Sequence, residues 1–150
     1  MDRTPLPGHA PFDETEMRRR IAAQAAGCDY FGLLGLRLLD LQPGYARMEL
    51  PHRRAFTHSG GVMQGGLLAT LADACLAHAT IAALDSATKR TTSIELKVNF
   101  IRPGLHGPFT AEARLAHLGS RTAVGDVDIT DARGKLLARC LASLMILPSE

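Results

Sequence analysis

The sequence predicts an α+β domain in which an antiparallel sheet curls around one long, buried helix. Residues 65–84 read GGLLATLADACLAHATIAAL, in which alanine and leucine favour helix and apolar residues cover nearly every face. A helix that is apolar all round has to be covered by other structure. Strand-like runs without intervening helices follow it, and such successive strands form an antiparallel sheet. These runs are residues 91–103, 109–118, 122–130 and 135–147.

Size and charge restrict the classes of protein to which the chain can belong. At 150 residues with 46% hydrophobic content, the chain fits one domain that builds its own core. Its 17 basic and 15 acidic residues are scattered, so the net charge of +2 forms no cationic stripe, and we expect no nucleic-acid partner. The apolar stretch 67–84 is interrupted by Asp73 and His78, which makes it a poor membrane span. We therefore expect no membrane partner.

Cysteine usage and the first residues indicate the compartment. The three cysteines, at positions 28, 75 and 140, are odd in number, widely spaced and set among apolar residues. This pattern is typical of free, buried thiols in a reducing compartment. The chain begins with Asp2, Arg3 and prolines before any apolar run, which is the wrong order for a secretory signal. We therefore expect a cytoplasmic protein.

Upstream of the long helix, the sequence predicts a leader and a first helix. Prolines recur within residues 1–12, and we expect this segment to be a flexible leader to a single domain over residues 13–150. Asp13 can cap a helix that runs to Ala26, and Gly27 stands where a helix stop is expected.

A pair of strands is predicted between the first helix and the long one. The pattern from Leu36 to Leu50 is extended and is broken by Pro43-Gly44, which indicates two strands joined by a tight turn. A loop rich in Arg, His, Ser and Gly then leads to the long helix. Turn dipeptides also separate the later strands, so each element has a local stop signal.

The strongest local signal for chemistry lies where the long helix begins, in the glycine-rich segment from His58 to Gly66. Glycine lets the backbone approach a ligand closely, and a helix that begins here offers unpaired N–H groups that can stabilise an oxyanion. The alternative is that Gly65-Gly66 only form a tight turn into the core. Gly60 and Gly65 have the spacing of a phosphate loop. However, Gly66 and Leu67 stand where that motif needs Lys and Ser or Thr, which excludes a nucleotide triphosphatase.

Asp73 is the only formally charged residue between Gly65 and Leu84. Burying a carboxylate without partners costs several kcal/mol, so the position needs either a catalytic role or a structural partner such as Thr70. Asp73 lies about 12 Å along the helix from Gly65, which is too far for both to serve one reacting carbonyl. Two antiparallel helices around a two-fold axis would bring Asp73 of one chain near Gly65 of the other.

The order of these residues resembles a known signature. The chain carries Gly61-x-x-Gln64-Gly65-Gly66-x-x-x-Thr70-Leu71-x-Asp73, which resembles the signature of the hot-dog thioesterases of the phenylacetate-degradation type. The resemblance covers residues 30–147, and its further matches are residues 30–36, 44–46 and 99–103 and the Gly134-Lys135 turn. It implies a hot-dog fold, with an antiparallel sheet curled around one long central helix. It also implies hydrolysis of acyl-CoA thioesters to free acid and coenzyme A, without a cofactor.

The resemblance also implies roles for residues at the site. Gly65 would offer its amide to the thioester carbonyl, while Asp73 of the partner subunit would act as general base or nucleophile. Ser93, with Thr92 as the alternative, falls near a position where relatives often place a hydroxyl that orients water. The catalytic set is thus Asp73, Gly65, Ser93 and Gln64.

Two positions depart from the family pattern. Gln64 replaces the usual histidine, and its amide can still donate a hydrogen bond. His58 replaces the usual asparagine and could titrate, so that the pH response would change. We assign substrate binding to His58, Gly61 and Gly66, and we expect Arg102, beside Pro103, to meet the phosphates of coenzyme A.

Other polar residues give weaker signals. His52, His78, His106 and His117 lack the paired spacing of a metal site, so we expect no bound metal. Cys75 has no neighbouring cation or helix start that would lower the pKa of its thiol, which favours a packing role.

The alternatives to hydrolysis are a non-catalytic acyl-CoA-binding module, a hot-dog enoyl-CoA hydratase or dehydratase, and a purely structural oligomerisation domain. Retention of Asp73 argues against the first and the last, whereas His58 together with Asp73 keeps the hydratase open. We expect a homodimer, or a homotetramer built as a dimer of dimers. The acyl group depends on how residues such as Phe56, Met63 and Phe100 meet across the interface, so it stays open.

Overall fold

The computed structural model describes residues 12–25, 29–84 and 89–148. The described chain contains three α-helices, two short 3-10 turns and six strands. The helices are α1 (Glu14–Ala25), α2 (Asp29–Leu34) and α3 (Gly65–Ala82), and the 3-10 turns are Arg54–Phe56 and Ser59–Gly61. The strands are β1 (Arg37–Gln42), β2 (Tyr45–Leu50), β3 (Lys89–Phe100), β4 (Phe109–Leu118), β5 (Thr122–Thr130) and β6 (Leu136–Pro148).

The six strands form one sheet in the order β1-β2-β4-β5-β6-β3, and every neighbouring pair is antiparallel. Strands β4, β5 and β6 pair in sequence order through short connections. Strand β3, which follows the long helix, pairs instead with β6 at the far edge. Helix α3 therefore crosses the sheet from β2 to the opposite edge, which leaves β3 with one open side.

The core lies between α3 and the inner face of the sheet. Helix α3 contacts all six strands. Burial alternates along β5 and β6, so every second side chain points towards the helix, as a half-buried strand requires. Leu71 and Leu76 of the helix and Phe109, Ile129 and Leu144 of the sheet are almost fully buried. This contact between helix and sheet supplies most of the apolar burial, and it holds the ends of α3 in place.

Gly125 on β5 allows α3 to approach the sheet closely. A Cβ at this position would lie 2.5 Å from the carbonyl oxygen of Arg114 and 2.5 Å from Cδ1 of Leu76. Real Cβ contacts are essentially never that short, and the Arg114 oxygen belongs to the backbone of the neighbouring strand. Any side chain at this position therefore has to push the helix or β4 away.

We expect Gly125→Ala to lower the free energy of unfolding by about 1–3 kcal/mol, as overpacking of a tight core does. Urea titration monitored by circular dichroism measures the change. Gly32→Ala is the matched control, because a Cβ there meets nothing within 4 Å. A Gly125→Ala protein as stable as the control would show that the helix is not held against β5.

One side of α3 is not covered by the described chain. Gly66, Thr70, Asp73, Ala77 and Ile81 recur at helical spacing and are half-buried or exposed. The sequence predicted a helix wrapped on all sides, whereas a single chain wraps only part of it. Within the described ranges, α3 is also the one helix whose length and composition would suit a membrane span, and 56% of it is buried in the fold, as in a core helix.

Most predicted elements match the structure closely. The Glu16 amide donates to Asp13 Oδ1 over 3.0 Å, which confirms the predicted cap, while the predicted helix end at Ala26 and Gly27 lies outside the described residues. The predicted strand pair is β1 and β2, and Gly44 turns between them at φ +77°. The first predicted strand after the helix runs over residues 89–100 rather than 91–103. Helix α2 was not predicted, because six residues are too short to show a helical period.

Candidate active site

The glycine-rich segment forms a tight turn that leads into α3. The His58 amide donates to the Val62 carbonyl over 3.0 Å, and Gly60 and Gly61 have φ of +81° and +74°. These left-handed conformations favour glycine, because a Cβ would clash with the backbone. The turn conformation by itself therefore accounts for Gly60 and Gly61. These two glycines alone do not identify a site.

The amides at the start of α3 are more informative. The Gln64 amide donates to the Phe56 carbonyl over 2.9 Å, which anchors the turn, whereas the Gln64 side chain is exposed and makes no cap hydrogen bond. In the described part of the chain, neither the Gly65 nor the Gly66 amide donates a hydrogen bond. Both lie at the positive end of the helix dipole. They are donors for an external oxygen, as the predicted oxyanion role of Gly65 requires.

Gly65 lines a cavity of about 340 Å³. It brings together three of the predicted site residues, His58, Gly65 and Arg102, although they lie far apart in the sequence. The Arg102 Nη1 atom donates to the Leu136 carbonyl over 2.8 Å, which anchors the guanidinium. The Phe100 ring packs on Gly65, and a Cβ on Gly65 would lie 3.0 Å from it. Glycine at position 65 therefore serves packing as well as access.

Sequence reasoning missed some lining residues of this cavity. Ile101, Pro103 and Gly104 lie along one side, and the Gly104 carbonyl accepts a hydrogen bond from the Met63 amide over 2.8 Å. This hydrogen bond joins the segment after β3 to the segment before α3. The residues near Met63 and Gly104 in the sequence do not predict that these two segments meet, although Pro103-Gly104 does mark a turn.

Asp73 and Ser93 form a pair on the uncovered side of α3. The Ser93 hydroxyl donates to Asp73 Oδ1 over 2.5 Å, which is the short distance expected of a charge-assisted bond. Ser93 is exposed and Asp73 is half-buried, so a ligand can reach both. Thr70 is not the partner of the carboxylate, because its hydroxyl donates to the Gly66 carbonyl. The carboxylate therefore has a partner without being sealed into the fold.

The sheet register decides between Ser93 and Thr92. Ser93 pairs with Leu144, which is buried, and Thr92 pairs with Met145, which is exposed on the outer face. Because paired residues in an antiparallel sheet point to the same side, Ser93 faces α3 and Thr92 faces away. Only Ser93 is placed to touch Asp73.

We expect Ser93→Ala to reduce kcat about tenfold or more with little change in KM, because one charge-assisted bond that orients the carboxylate is lost. Ser93→Thr retains the hydroxyl and is expected to recover part of the activity. Thr92→Ala, on the opposite face, serves as the control. Steady-state kinetics of the three variants are the measurement, and equal losses in Ser93→Ala and Thr92→Ala would contradict the assignment.

The environments of the other cysteine and histidine candidates indicate structural rather than catalytic roles. Cys75 is buried, and burial raises the pKa of its thiol to about 12, so the thiolate is scarce at neutral pH. Burial likewise raises the pKa of Cys140 to about 11. The His52 ring packs edge-on against Phe109. Within the described residues, no three side chains of His, Cys, Asp or Glu cluster as a metal site would require.

Comparison with known proteins identifies relatives of the chain. The family model of the thioesterase superfamily matches residues 60–138. A protein of Saccharolobus solfataricus that bears an esterase name is 35% identical over 120 residues, which is 80% of this chain and 84% of that protein. The acyl-coenzyme A thioesterase PaaI of Escherichia coli is 29% identical over 106 residues, which is 70% of this chain and 73% of PaaI.

Solved structures agree with these matches. The structure of PaaI, from the phenylacetic acid degradation operon of Escherichia coli, superposes with a TM-score of 0.80 at 22% identity and covers 89% of this chain and 94% of PaaI. A conserved protein of Pseudomonas aeruginosa superposes with a TM-score of 0.74 at 30% identity and covers 79% of this chain and 93% of that protein. The antiparallel sheet packed on one long helix is the hot-dog fold, as predicted. The matched region contains Gly61, Gly65, Asp73 and Ser93, and the chain belongs to the thioesterase superfamily of hydrolases.

Proposed function

We propose that this protein hydrolyses acyl-CoA thioesters at composite sites, each formed by two copies of the chain. The observation that carries the proposal is that the two halves of a hydrolytic site are present on the chain but separated. The free amides of Gly65 and Gly66 lie at the start of α3, and the Asp73–Ser93 pair lies about 12 Å further along the same helix. A second copy of the chain would place its Asp73–Ser93 pair beside the amides of the first, and its amides beside the Asp73–Ser93 pair of the first.

The uncovered surface around Asp73 supports the shared site. The half-buried stripe of α3 continues onto β3, whose open edge carries the exposed apolar residues Ile94 and Phe100. An exposed apolar surface of this kind marks an interaction site, and a second copy can bury it. The pairing of two dimers into a tetramer would use a different surface, and we retain it as an expectation.

The mechanism follows from the chemistry of these groups. The Gly65 amide, with Gly66 and the Gln64 side chain nearby, donates to the thioester carbonyl oxygen and stabilises the negative charge that develops on it. Asp73 of the partner subunit removes a proton from water, whose oxygen attacks the carbonyl carbon. The C–S bond then breaks, and coenzyme A leaves as its thiol with that proton. Direct attack by the carboxylate, followed by hydrolysis of the anhydride, uses the same geometry.

Two features favour an acyl-CoA as the substrate. Arg102 lines the cavity beside Gly65 and offers a guanidinium to phosphate groups. The relative PaaI is named an acyl-coenzyme A thioesterase. His58 and Gly61 lie in the turn that borders the same cavity, where they would contact the substrate. We also propose the cytoplasm as the compartment, because Cys75 and Cys140 are free thiols.

A panel of acyl-CoA substrates tests the proposal against its rivals. Release of free thiol reports hydrolysis, while loss of enoyl absorbance reports hydration. We expect thiol release with at least one aromatic, medium-chain or branched acyl group and no loss of enoyl absorbance. Binding without turnover across the panel would favour the acyl-CoA-binding module, and enoyl turnover would favour the hydratase.

A further inference from the structure

A second and larger cavity, of about 650 Å³, lies on the other side of α3. Described residues of α1, α2, β1 and the end of β2 line it together with His78 of α3, and it is open to solvent on one side. His78 and Asp73 are five residues apart, which places them about 140° apart around the helix. The volume falls within the range of small-molecule sites. None of the lining residues that the structure describes belongs to the proposed active site.

His78 is buried and belongs to the lining of this cavity. The side chain is 7% exposed, and its Nδ1 atom lies 2.6 Å from the Ala74 carbonyl oxygen. Because a carbonyl can only accept, the proton of the neutral ring belongs on Nδ1, and Nε2 is left with a lone pair. Burial lowers the pKa of His78, which favours the neutral ring. Within the described ranges, no hydrogen-bond donor to Nε2 is found.

The walls and the rim of the cavity differ in chemistry. Phe31, Leu36 and Leu38 provide apolar walls, and the Phe31 ring stacks at 5.5 Å from the His78 ring. Arg37 and Arg53 are exposed at the rim. Among the described residues, three arginines and one glutamate line the cavity, and Glu14 pairs with Arg18 outside the lining, so one positive charge is in excess.

The rim arginines have donors to spare. The Arg53 Nη1 atom donates to the Leu33 carbonyl over 2.9 Å, and Arg37 bonds Glu49 through Nε and Nη2. A guanidinium carries five N–H donors, so each retains unused ones. These contacts hold the two groups in place and leave them able to bind a carboxylate.

We propose that this cavity binds a small carboxylic acid whose apolar body carries a hydroxyl at its buried end. The carboxylate would pair with Arg37 and Arg53 at the rim, the body would pack against Phe31 and Leu36, and the hydroxyl would donate to Nε2 of His78. This orientation follows from burial, because Arg37 and Arg53 are exposed whereas His78 is buried.

The probes are 3-(4-hydroxyphenyl)propionate and 3-phenylpropionate, which differ by one hydroxyl. In calorimetry on the intact oligomer we expect the hydroxylated acid to bind about tenfold more tightly, as one buried hydrogen bond provides. In ¹⁵N NMR of the histidine rings, only the hydroxylated acid should shift the Nε2 signal of His78. This NMR measurement needs no substitution, so it holds even where a variant fails to fold.

Variants distinguish the two ends of the cavity. His78→Phe should bring the two acids to equal affinity, because it keeps a ring beside Phe31 and removes the acceptor. Arg53→Gln should weaken both acids about tenfold. Arg19→Gln is the control, since that exposed arginine of α1 pairs with Glu16 and does not line the cavity. Equal affinity of the two acids for the unmodified protein, an unmoved His78 signal, or loss of binding in Asp73→Asn would overturn the proposal.

Discussion

Replacing Asp73 with asparagine should stop turnover while the fold and the proposed oligomer persist. The amide retains the shape of the side chain and can still accept a hydrogen bond from Ser93, so the contact between α3 and β3 is preserved. It cannot take a proton from water. General-base assistance contributes roughly 100- to 10,000-fold, and we expect kcat to fall by at least that factor with little change in substrate affinity.

Turnover and thermal stability should be measured on the same Asp73→Asn preparation, with the best substrate from the acyl-CoA panel. A structural carboxylate would behave differently, because the charge-assisted bond from Ser93 would belong to the fold. The melting temperature would then fall roughly in step with the activity. Near-normal turnover in a well-folded oligomer would refute the mechanism, and the acyl-CoA-binding module would become the better description.

Mixed oligomers should recover activity that neither parent possesses. A Gly65→Pro chain lacks the amide donor, and an Asp73→Ala chain lacks the base, so each homodimer is expected to be inactive. Loss of one oxyanion donor alone costs roughly 100- to 1,000-fold. In the heterodimer, one site combines the intact Gly65 of one chain with the intact Asp73 of the other. It should show about half the turnover of the unmodified dimer, because a two-fold interface forms two equivalent sites.

The structure supplies a control for this experiment. A Cβ at position 65 comes within 3.0 Å of the Phe100 ring, so Gly65→Pro disturbs packing as well as removing the N–H group. Gly65→Ala adds the same Cβ and retains the amide, and the difference between the two variants isolates the contribution of the donor. Light scattering has to verify the heterodimers. If verified heterodimers are inactive, then either the Gly65 amide and the Asp73 carboxylate of one site come from the same chain, or one of the two takes no part in catalysis.

The local elements were predictable because their signals are local. Strand-like runs that end at turn dipeptides located β4 and β5 at the predicted residues. The helix α3 and the Asp13 cap of α1 were likewise predicted from residues that are close together in the sequence. Helix α2 gave no such signal, since it is short and contains Gly32.

The candidate site was predictable in part. The glycine turn and Asp73 stand out within one segment of sequence, and the resemblance to a family pointed to Ser93. The choice between Ser93 and Thr92 stayed open in the sequence, because a shift of one residue in strand register exchanges the two faces. The pairing of β3 with β6 determines that register.

The fold class, the extent of the main elements and the residue types suited to hydrolysis were readable from the sequence, because periodicity, turns and an isolated carboxylate are properties of neighbouring positions. Which distant residues meet depends on tertiary structure. Packing brings Arg102 and Gly65 into one cavity, Ser93 against Asp73, and His78 into the lining of a second cavity. These contacts depend on the path of α3 across the sheet and on the order of the strands. Burial of the whole core sets both, so no single segment of the sequence predicts them.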